Sequence, residues 1–168
     1  CDTSSVHYSI GPAFAECDEV AITIRGRGGH GAQPHNAVDP ITTAAAVISS
    51  LQHIISMEVA SNQQAVLPFG SIQGGAASNV LHRKVGLGGT SRAYNPEIAA
   101  FVRGRVREIT QAICTGMRAE AVMDIEEGIP PLYNNPALCG AMHPFVEEIA
   151  GEGRVLAADY PTSYGSED

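Results

Sequence analysis

Residues 20–40, VAITIRGRGGHGAQPHNAVDP, place one glycine-rich turn between two regular elements. Large apolar residues occupy every second position over residues 20–24, and this period of two predicts a half-buried strand that Gly26 ends. After the turn, Asp39 can cap a helix and Pro40 can occupy its first position, where a backbone N–H is not needed. The stretch therefore predicts a strand, a turn and a helix in succession.

The rest of the chain supplies a hairpin, a second helix and a final strand. Asn95 and Pro96 repeat the cap and proline of the first helix start, and Gly116 ends the second helix. Pro68 restricts its strand to an edge position or a bulge, and Gly128 with the prolines after it is expected to end regular structure. In chain order, the predicted strand, helix, strand, strand, helix and strand cover residues 20–25, 40–57, 65–72, 79–94, 96–116 and 118–125.

This βαββαβ order favours an α/β (α+β) fold of ferredoxin-like type, in which both helices cover one face of an antiparallel sheet. Beyond it, Asn135 and Pro136 open a further helix that extends to residue 150, and residues 155–158 predict a short strand. We interpret this last part of the chain as the return into a different domain.

The composition argues against two classes of partner. Ten Lys and Arg residues stand against eighteen Asp and Glu residues, with no basic run, so binding to a nucleic-acid backbone has little electrostatic support. No uninterrupted apolar stretch approaches the ~20 residues that span a bilayer, so no membrane partner is expected. Because the start of the chain is not signal-like, a cytoplasmic location is the default expectation.

The four cysteines, at positions 1, 17, 114 and 139, form no CxxC or CxxxC pair, which disfavours a structural zinc site. The chain starts on Cys1 without a methionine and ends on Tyr164-Gly165-Ser166-Glu167-Asp168. From these two ends we expect a piece of a longer protein.

Gly26, Gly28 and Gly31 match the dinucleotide-binding pattern GxGxxG directly after a strand. The context does not fit, because the helix begins only at Pro40 and Pro34 interrupts the approach to it. The region about twenty residues further on is also helical, where a second strand ending in an acidic residue is needed. Nucleotide binding is therefore disfavoured.

Two histidines, His30 and His35, lie in the glycine-rich turn, where glycine gives the backbone conformational freedom. Their separation of five residues across Pro34 is not the i, i+4 helical spacing that presents two imidazoles to one metal ion. Two alternatives remain open from the residues alone. The rings are solvated or bonded to the loop backbone, or an imidazole donates a hydrogen bond to a developing oxyanion or a substrate oxygen.

Asn79 and Arg92 also stand out by position, since an amide and a planar guanidinium both suit the recognition of an acyl-amino acid. Taken singly, each residue type is more often a turn former or a surface charge. The other histidines are interpreted as structural or surface residues. The arginines at positions 103, 105 and 107 and the end of the first helix at Ser56-Met57 are interpreted as a solvated face.

Six ordered motifs together closely resemble the aminoacylase-like metallopeptidases, in the branch of hippurate hydrolases, N-acyl-amino-acid amidohydrolases and indoleacetyl-amino-acid hydrolases. The motifs are Gly26-Arg27-Gly28-Gly29-His30-Gly31-Ala32-Gln33-Pro34-His35, Val38-Asp39-Pro40-Ile41, Leu51-Gln52, Gly74-Gly75-x-x-x-Asn79-Val80, Gly89-Thr90-x-Arg92 and Gly165-Ser166-Glu167-Asp168.

The resemblance implies a two-domain hydrolase in which a lid, or dimerisation, domain closes over the substrate. Residues 1–17 would end a segment of an α/β metallopeptidase catalytic domain, residues 18–126 would form the ferredoxin-like lid, and residues 127–168 would return into the incomplete catalytic domain. The resemblance places His30 against the reacting amide, often in the active site of the partner subunit of a homodimer. It assigns Asn79 and Arg92 to substrate binding and Glu167 to a stretch near the metal centre.

The resemblance also implies two divalent metal ions, zinc or manganese, in the intact enzyme. The family's metal ligands and its general-base Glu would precede residue 1, and a last ligand His would follow Asp168. This chain alone is therefore expected to bind no metal and not to hydrolyse amides. The sequence departs from the family's usual Asn-Val-Ile-Pro at Asn79-Val80-Leu81-His82 and from its Ser-Arg-Asn at Ser56-Met57-Glu58.

Two hypotheses follow. The first is that the chain is the lid and C-terminal part of an amidohydrolase that acts on N-acyl amino acids. The second is a non-catalytic α/β interaction module that dimerises through its sheet edge or helices, with the histidine turn as a plain turn.

Overall fold

The computed structural model of the protein describes residues 5–158 and 164–165. The strands in this part of the chain are β1 Val6–Ser9, β2 Gly11–Phe14, β3 Glu16–Arg25, β4 Gly29–His30, β5 Ala65–Val66, β6 Phe69–Gly74, β7 Val80–Leu81, β8 Lys84–Ala93, β9 Glu120–Ile129, β10 Leu132–Asn134 and β11 Val155–Ala158. The α-helices are α1 Pro40–His53, α2 Pro96–Gly116 and α3 Pro136–Ala150.

The main sheet has the strand order β6-β8-β3-β9, and each neighbouring pair is antiparallel. Strand β5 pairs with the end of β8 on the β6 side. In β3, Ile22 lies opposite Leu87 of β8 and Met123 of β9. Strands β3 and β8 are therefore central, and they are the first and the third of the four predicted strands in chain order. The predicted ferredoxin-like α/β fold is confirmed.

The core lies between the sheet and helices α1 and α2. In β3, Val20, Ile22 and Ile24 are buried, and the residues between them are half-buried or exposed. Val47 of α1 and Val102 of α2 are fully buried in the same cluster. Helices α1 and α2 cover this face, and the alternate side chains of β3 are half-buried or exposed, as in a sheet that is covered on one side.

Helices α1 and α2 begin as the sequence predicts. The Asp39 carboxylate accepts hydrogen bonds from the first free N–H groups of α1, and the Asn95 side chain does the same for α2. The helical segment ends at Glu58, close to the predicted end at residue 57, but its last part is not α-helical. The α-helix ends at His53 and continues as a π-helical turn, Ile54–Glu58, closed by a 2.9 Å hydrogen bond from the Val59 N–H to the Ile54 carbonyl.

The two middle strands are each divided. Strands β5 and β6 are separated at Leu67 and Pro68, because Leu67 turns into the core and the Pro68 carbonyl accepts a hydrogen bond from the Thr90 N–H. The extended stretch predicted over residues 79–94 divides into β7 and β8. Pro68 thus lies at an irregularity of the sheet, as its ring requires.

The last strand of the main sheet continues past its predicted end, since β9 extends through Gly128 to Ile129. A Cβ atom at Gly128 would lie 1.7 Å from the Cys17 carbonyl oxygen, so only glycine permits this close pairing with β3. The Gly128 N–H donates to Asp18 Oδ1 at 3.1 Å.

Outside the main sheet, two short strands near the start of the chain pair with two short strands from its C-terminal part. Strand β1 pairs with β11 in parallel, and β2 pairs with β10 antiparallel. Helix α3 and β11 occur where the sequence predicts them, whereas β1, β2 and β10 were not predicted. No helix of the described residues is both long and apolar enough to cross a membrane.

The interpretation of the α2 arginines as a solvated face is wrong for Arg103 and Arg105. Arg103 forms ion pairs with Glu16 and Asp18, whose side chains are only 4% and 1% exposed. Arg105 binds both carboxylate oxygens of Glu58, at 2.6 and 3.0 Å. Two arginines of α2 therefore tie the helix to β3 and to the π-helical turn.

Candidate functional site

The glycine-rich turn lies at the end of the main sheet where β3 finishes. Strand β4 pairs with β7, so that His30 lies opposite Val80. The Gly31 N–H donates to the Asn79 carbonyl at 2.8 Å. Two of the predicted site residues, His30 and Asn79, are thereby brought together on one exposed rim.

One ring nitrogen of His30 is occupied by the backbone of its own turn. The Ala32 N–H donates to His30 Nδ1 at 3.1 Å. A nitrogen that accepts a hydrogen bond carries no proton, so the neutral ring holds its proton on Nε2. His30 can therefore be bonded to the loop and still present Nε2–H as a donor to another molecule, and the two alternatives left open by the sequence are compatible.

The glycines of this turn provide close approach, and the expectation of unusual backbone freedom there is wrong. The glycines with positive φ in the described residues are Gly11, Gly75, Gly151 and Gly153, none of which belongs to the turn. A Cβ atom at Gly26 would instead lie 2.2 Å from the Val38 carbonyl oxygen. The missing side chains let the strand end, the turn and the start of α1 pack against one another.

We expect Gly26→Ala to lower the free energy of unfolding by about 1–3 kcal/mol, because the added methyl group meets backbone that cannot move aside cheaply. Urea unfolding followed by circular dichroism measures the change. The matched control is Gly104→Ala in α2, where a Cβ meets open space and helix propensity predicts a gain of about 0.5–1 kcal/mol. Equal stability of the two variants would contradict the packing role of Gly26.

Arg92 lies at the other end of the sheet. It is opposite Cys17 in the register of β3 and β8, whereas Lys84 at the far end of β8 is opposite Arg25. At 3.3–3.4 Å per residue, the eight steps from Lys84 to Arg92 span about 27 Å. His30 lies beyond the Lys84 end, so the structure does not bring His30 and Arg92 of one chain together.

Arg92 is instead joined to the C-terminal segment. Its Nη1 donates to the Tyr164 carbonyl at 2.7 Å, and the Ala15 N–H donates to the Gly165 carbonyl at 2.9 Å. Glu167, expected near the metal centre, lies outside the described residues.

Residues 5–158 and 164–165 contain no group of three or more His, Cys, Asp or Glu side chains arranged to hold a metal ion. The residues that the structure describes therefore do not fit a dinuclear metal centre.

Sequence reasoning missed two polar clusters. His143 of α3 is hydrogen-bonded through Nδ1 to the Tyr8 hydroxyl at 2.7 Å. Arg103 pairs with Glu16 and Asp18, as described above. The second cluster had a signal in the sequence, because residues 16 and 18 share the even positions of the buried residues of β3.

Residues 18–116 match the family described as a peptidase dimerisation domain. The chain is 34% identical over 164 residues to the N-acetyl-L-cysteine deacetylase of Bacillus subtilis, covering 98% of this chain and 38% of that protein. It is 32% identical over 165 residues to the N-acetyldiaminopimelate deacetylase of Enterococcus faecalis, covering 98% of this chain and 43% of that protein. The chain thus spans well under half the length of these relatives.

Solved structures agree on the fold. Aminopeptidase PepT from Bacillus cereus superimposes with a TM-score of 0.78 at 18% identity, over 99% of this chain and 42% of that one. The YXEP protein of Bacillus subtilis, a dinuclear metal-binding peptidase of the M20 family, superimposes with a TM-score of 0.68 at 24% identity, over 93% of this chain and 37% of that one. On the sequence match and this fold, the chain belongs to the peptidase dimerisation domain family of the aminoacylase-like M20 amidohydrolases.

Proposed function

We propose that the chain is part of a metal-dependent amidohydrolase that cleaves the amide bond of N-acyl amino acids, and that it supplies the lid and the substrate-positioning residues. Residues 18–126 form the lid, and residues 1–17 and 127–168 belong to the catalytic domain. The observation that carries the proposal is the fixed imidazole of His30, whose Nδ1 is bonded to Ala32 N–H and whose Nε2–H is left as a donor on an exposed rim.

His30 acts on the reacting carbonyl. As the amide carbon becomes tetrahedral, its oxygen gains negative charge, and a donor already held in place stabilises that charge without reorganising. The Ala32 N–H holds the ring in the tautomer that this role needs. Asn79 lies beside the turn and carries an amide that can both donate and accept, so it positions the substrate near the same group.

Arg92 binds the α-carboxylate of the substrate through its planar guanidinium. Since about 27 Å of strand lies between the two ends of β8, His30 and Arg92 of one chain serve different active sites. A homodimer accounts for this separation. Each active site then contains His30 from one subunit and Arg92 from the partner subunit. The oxyanion donor is then supplied across the subunit boundary.

The edge strand β6 is the surface through which two lids pair. Both β6 and β9 have only one neighbour among the described strands of the main sheet. Strand β9 carries four acidic residues, Glu120, Asp124, Glu126 and Glu127, whose repulsion opposes pairing with a second β9. Strand β6, Phe69–Gly74, carries no charged side chain and leaves Ile72 55% exposed.

We expect Ile72→Lys to raise the dissociation constant of the dimer by about tenfold or more, because each subunit brings a new positive charge to the same self-complementary contact. Sedimentation velocity over a range of concentrations measures the constant. Val122→Lys on β9 is the matched control, since Val122 is 42% exposed and lies on the edge that we assign to solvent. A dimer that dissociates in the control and persists in Ile72→Lys would contradict the assignment of the edge.

Two divalent metal ions, zinc or manganese, belong to the proposed full-length enzyme, and residues outside the described ranges would hold them. The direct test of the proposed function is the release of free amino acid from a panel of N-acetyl amino acids by the full-length protein supplied with zinc or manganese. Release is the expected result. A correctly folded dimer that releases none would favour the non-catalytic interaction module.

A further inference from the structure

Three consecutive residues, His82, Arg83 and Lys84, form a basic rim beside the histidine turn. They line an open depression of about 720 Å³ whose floor includes Gly28 and Gly29. Arg83 and Lys84 are exposed, and His82 is half-buried. The depression is therefore lined by positively charged side chains and by two glycines.

The cations of the basic rim have no acidic partner. Among residues 5–158 and 164–165, no carboxylate lies within ion-pair distance of Arg83 or Lys84. In contrast, Arg103 and Arg105 are paired with acids. Arg83 and Lys84 are thus a local concentration of positive charge in a chain whose formal net charge is −8.

The sheet register adds a third charge to the neighbourhood. Lys84 lies directly opposite Arg25, and like charges in such a pair destabilise a sheet. Glu120 lies opposite Arg25 on its other side, but among the described residues no ion pair joins the two side chains. An anion bound in the depression beside Arg83 and Lys84 would offset this repulsion.

Backbone contacts fix the basic rim to the turn that carries His30. The Gly26 N–H donates to the Arg83 carbonyl at 2.8 Å. A Cβ atom at Gly28 would lie 3.0 Å from Arg83 Cγ, so the Arg83 side chain lies across this glycine. His82 Nδ1 donates to the Lys84 carbonyl at 2.9 Å, so Nε2 of the neutral ring is an acceptor and the donors to an anion are those of Arg83 and Lys84.

We infer that the basic rim binds a second anionic group of the substrate, and that the preferred substrates are N-acyl amino acids with a carboxylate beyond the α-carboxylate. This inference rests on the proposed function. The guanidinium of Arg83 can bind a carboxylate through two parallel hydrogen bonds, and Lys84 adds a point charge beside it. The second carboxylate belongs either to the amino acid side chain or to the acyl group, and both present the same chemistry to the basic rim.

Two pairs of substrates, each matched in size, distinguish a carboxylate on the amino acid side chain from one on the acyl group. N-acetyl-L-glutamate and N-acetyl-L-glutamine differ in charge on the side chain, and N-succinylglycine and its monoamide differ in charge on the acyl group. For the full-length enzyme we expect kcat/KM to favour the charged member of at least one pair by about tenfold or more. Arg83→Gln with Lys84→Gln is expected to reduce that ratio to about twofold or less, mainly through KM.

Arg107→Gln removes one positive charge from the exposed face of α2 and is the control, in which the ratio is expected to stay at its wild-type value. Arg83→Glu provides a second variant, and we expect it to reverse the preference toward the uncharged substrate. Both basic-rim residues are exposed, and circular dichroism confirms that each variant is folded before kinetics are compared.

Equal kcat/KM for both members of both pairs in the wild-type enzyme would overturn the inference. So would basic-rim variants that weaken the dimer and leave the substrate ratio unchanged, since the rim would then be a protein contact. Neither outcome would contradict the proposed function. The proposed function would be contradicted by a different result, namely no amide hydrolysis by the wild-type enzyme.

Discussion

We expect His30→Ala to lower kcat of the full-length enzyme for an N-acyl amino acid by about 10²- to 10³-fold, as the loss of one oxyanion donor does elsewhere. The imidazole is held by the 3.1 Å bond from the Ala32 N–H to Nδ1, so its Nε2–H needs no reorganisation when charge develops. Alanine keeps the backbone of β4 and removes the donor. Because the donor acts on the transition state more than on bound substrate, kcat falls and KM changes little.

His35→Ala is the matched control for this variant, since His35 is an exposed histidine of the same turn. We expect its turnover to stay within about twofold of wild type, which is below the loss of any donor that acts on the transition state. Equal turnover of the His30→Ala and wild-type enzymes, with the dimer intact, would contradict the assigned role. A rise in KM with unchanged kcat would instead place His30 in ground-state binding.

We expect Arg103→Met to lower the free energy of unfolding by about 3–5 kcal/mol, because the change leaves two buried carboxylates without their cation. The Glu16 and Asp18 side chains are 4% and 1% exposed, so water cannot replace the guanidinium. Chemical denaturation of the 168-residue chain measures the loss. Arg107→Met on the same helix is the control, and a change of about 0.5 kcal/mol or less is expected at this exposed position.

The pH dependence of stability tests the same cluster independently. Burial raises the pKa of Glu16, with Asp18 adding to the effect and Arg103 opposing it. A raised pKa in the folded state means that the folded chain binds the proton more tightly than the unfolded chain. The contribution of Glu16 is therefore fully present below its unfolded pKa and is lost as pH rises through the folded pKa.

Comparing wild type with Glu16→Gln isolates this contribution. Wild type should gain stability relative to the variant as pH falls from 7 toward 4.5, the ordinary pKa of the group. A difference between the two proteins that does not change with pH, or that changes in the opposite direction, would contradict the buried position of Glu16.

The elements that the sequence predicts best are those determined by local pattern. The alternation in β3 and the caps at Asp39 and Asn95 depend only on neighbouring residues, and the structure confirms them. The π-helical turn after α1 was missed, because it follows from the burial of Ile54 and a bond to Val59 and has no local composition signal. Strands β1, β2 and β10 were missed for a related reason, since their partners are distant in the chain.

The candidate site also divides into features that the local sequence predicts and features that depend on residues distant in the chain. The spacing of residues around His30 identified the turn, but the acceptor of the Ala32 N–H and the pairing of β4 with β7 appear only in three dimensions. The α2 arginines look like solvated residues because charged side chains of a helix are mostly exposed, and no local signal marks Arg103 as buried. Its partners lie more than eighty residues away, at positions 16 and 18.

The central claim is that His30 and Arg92 of one chain serve different active sites, and mixed dimers of two inactive variants test it most directly. Full-length His30→Ala and Arg92→Ala chains are mixed, dissociated, allowed to re-pair at random, and assayed for hydrolysis of an N-acyl amino acid. In a mixed dimer, the His30→Ala subunit keeps its own Arg92 and receives His30 from the partner subunit.

At substrate concentrations below KM, where loss of Arg92 binding also lowers the rate, the account predicts recovery of about one quarter of the wild-type rate. About half of the randomly paired dimers are mixed, and each of these has one of its two sites intact. If His30 and Arg92 of one chain served the same site, every site in the mixture would lack one of them. Activity that stays at the level of the separate variants, with mixed dimers shown to have formed, would therefore contradict the account.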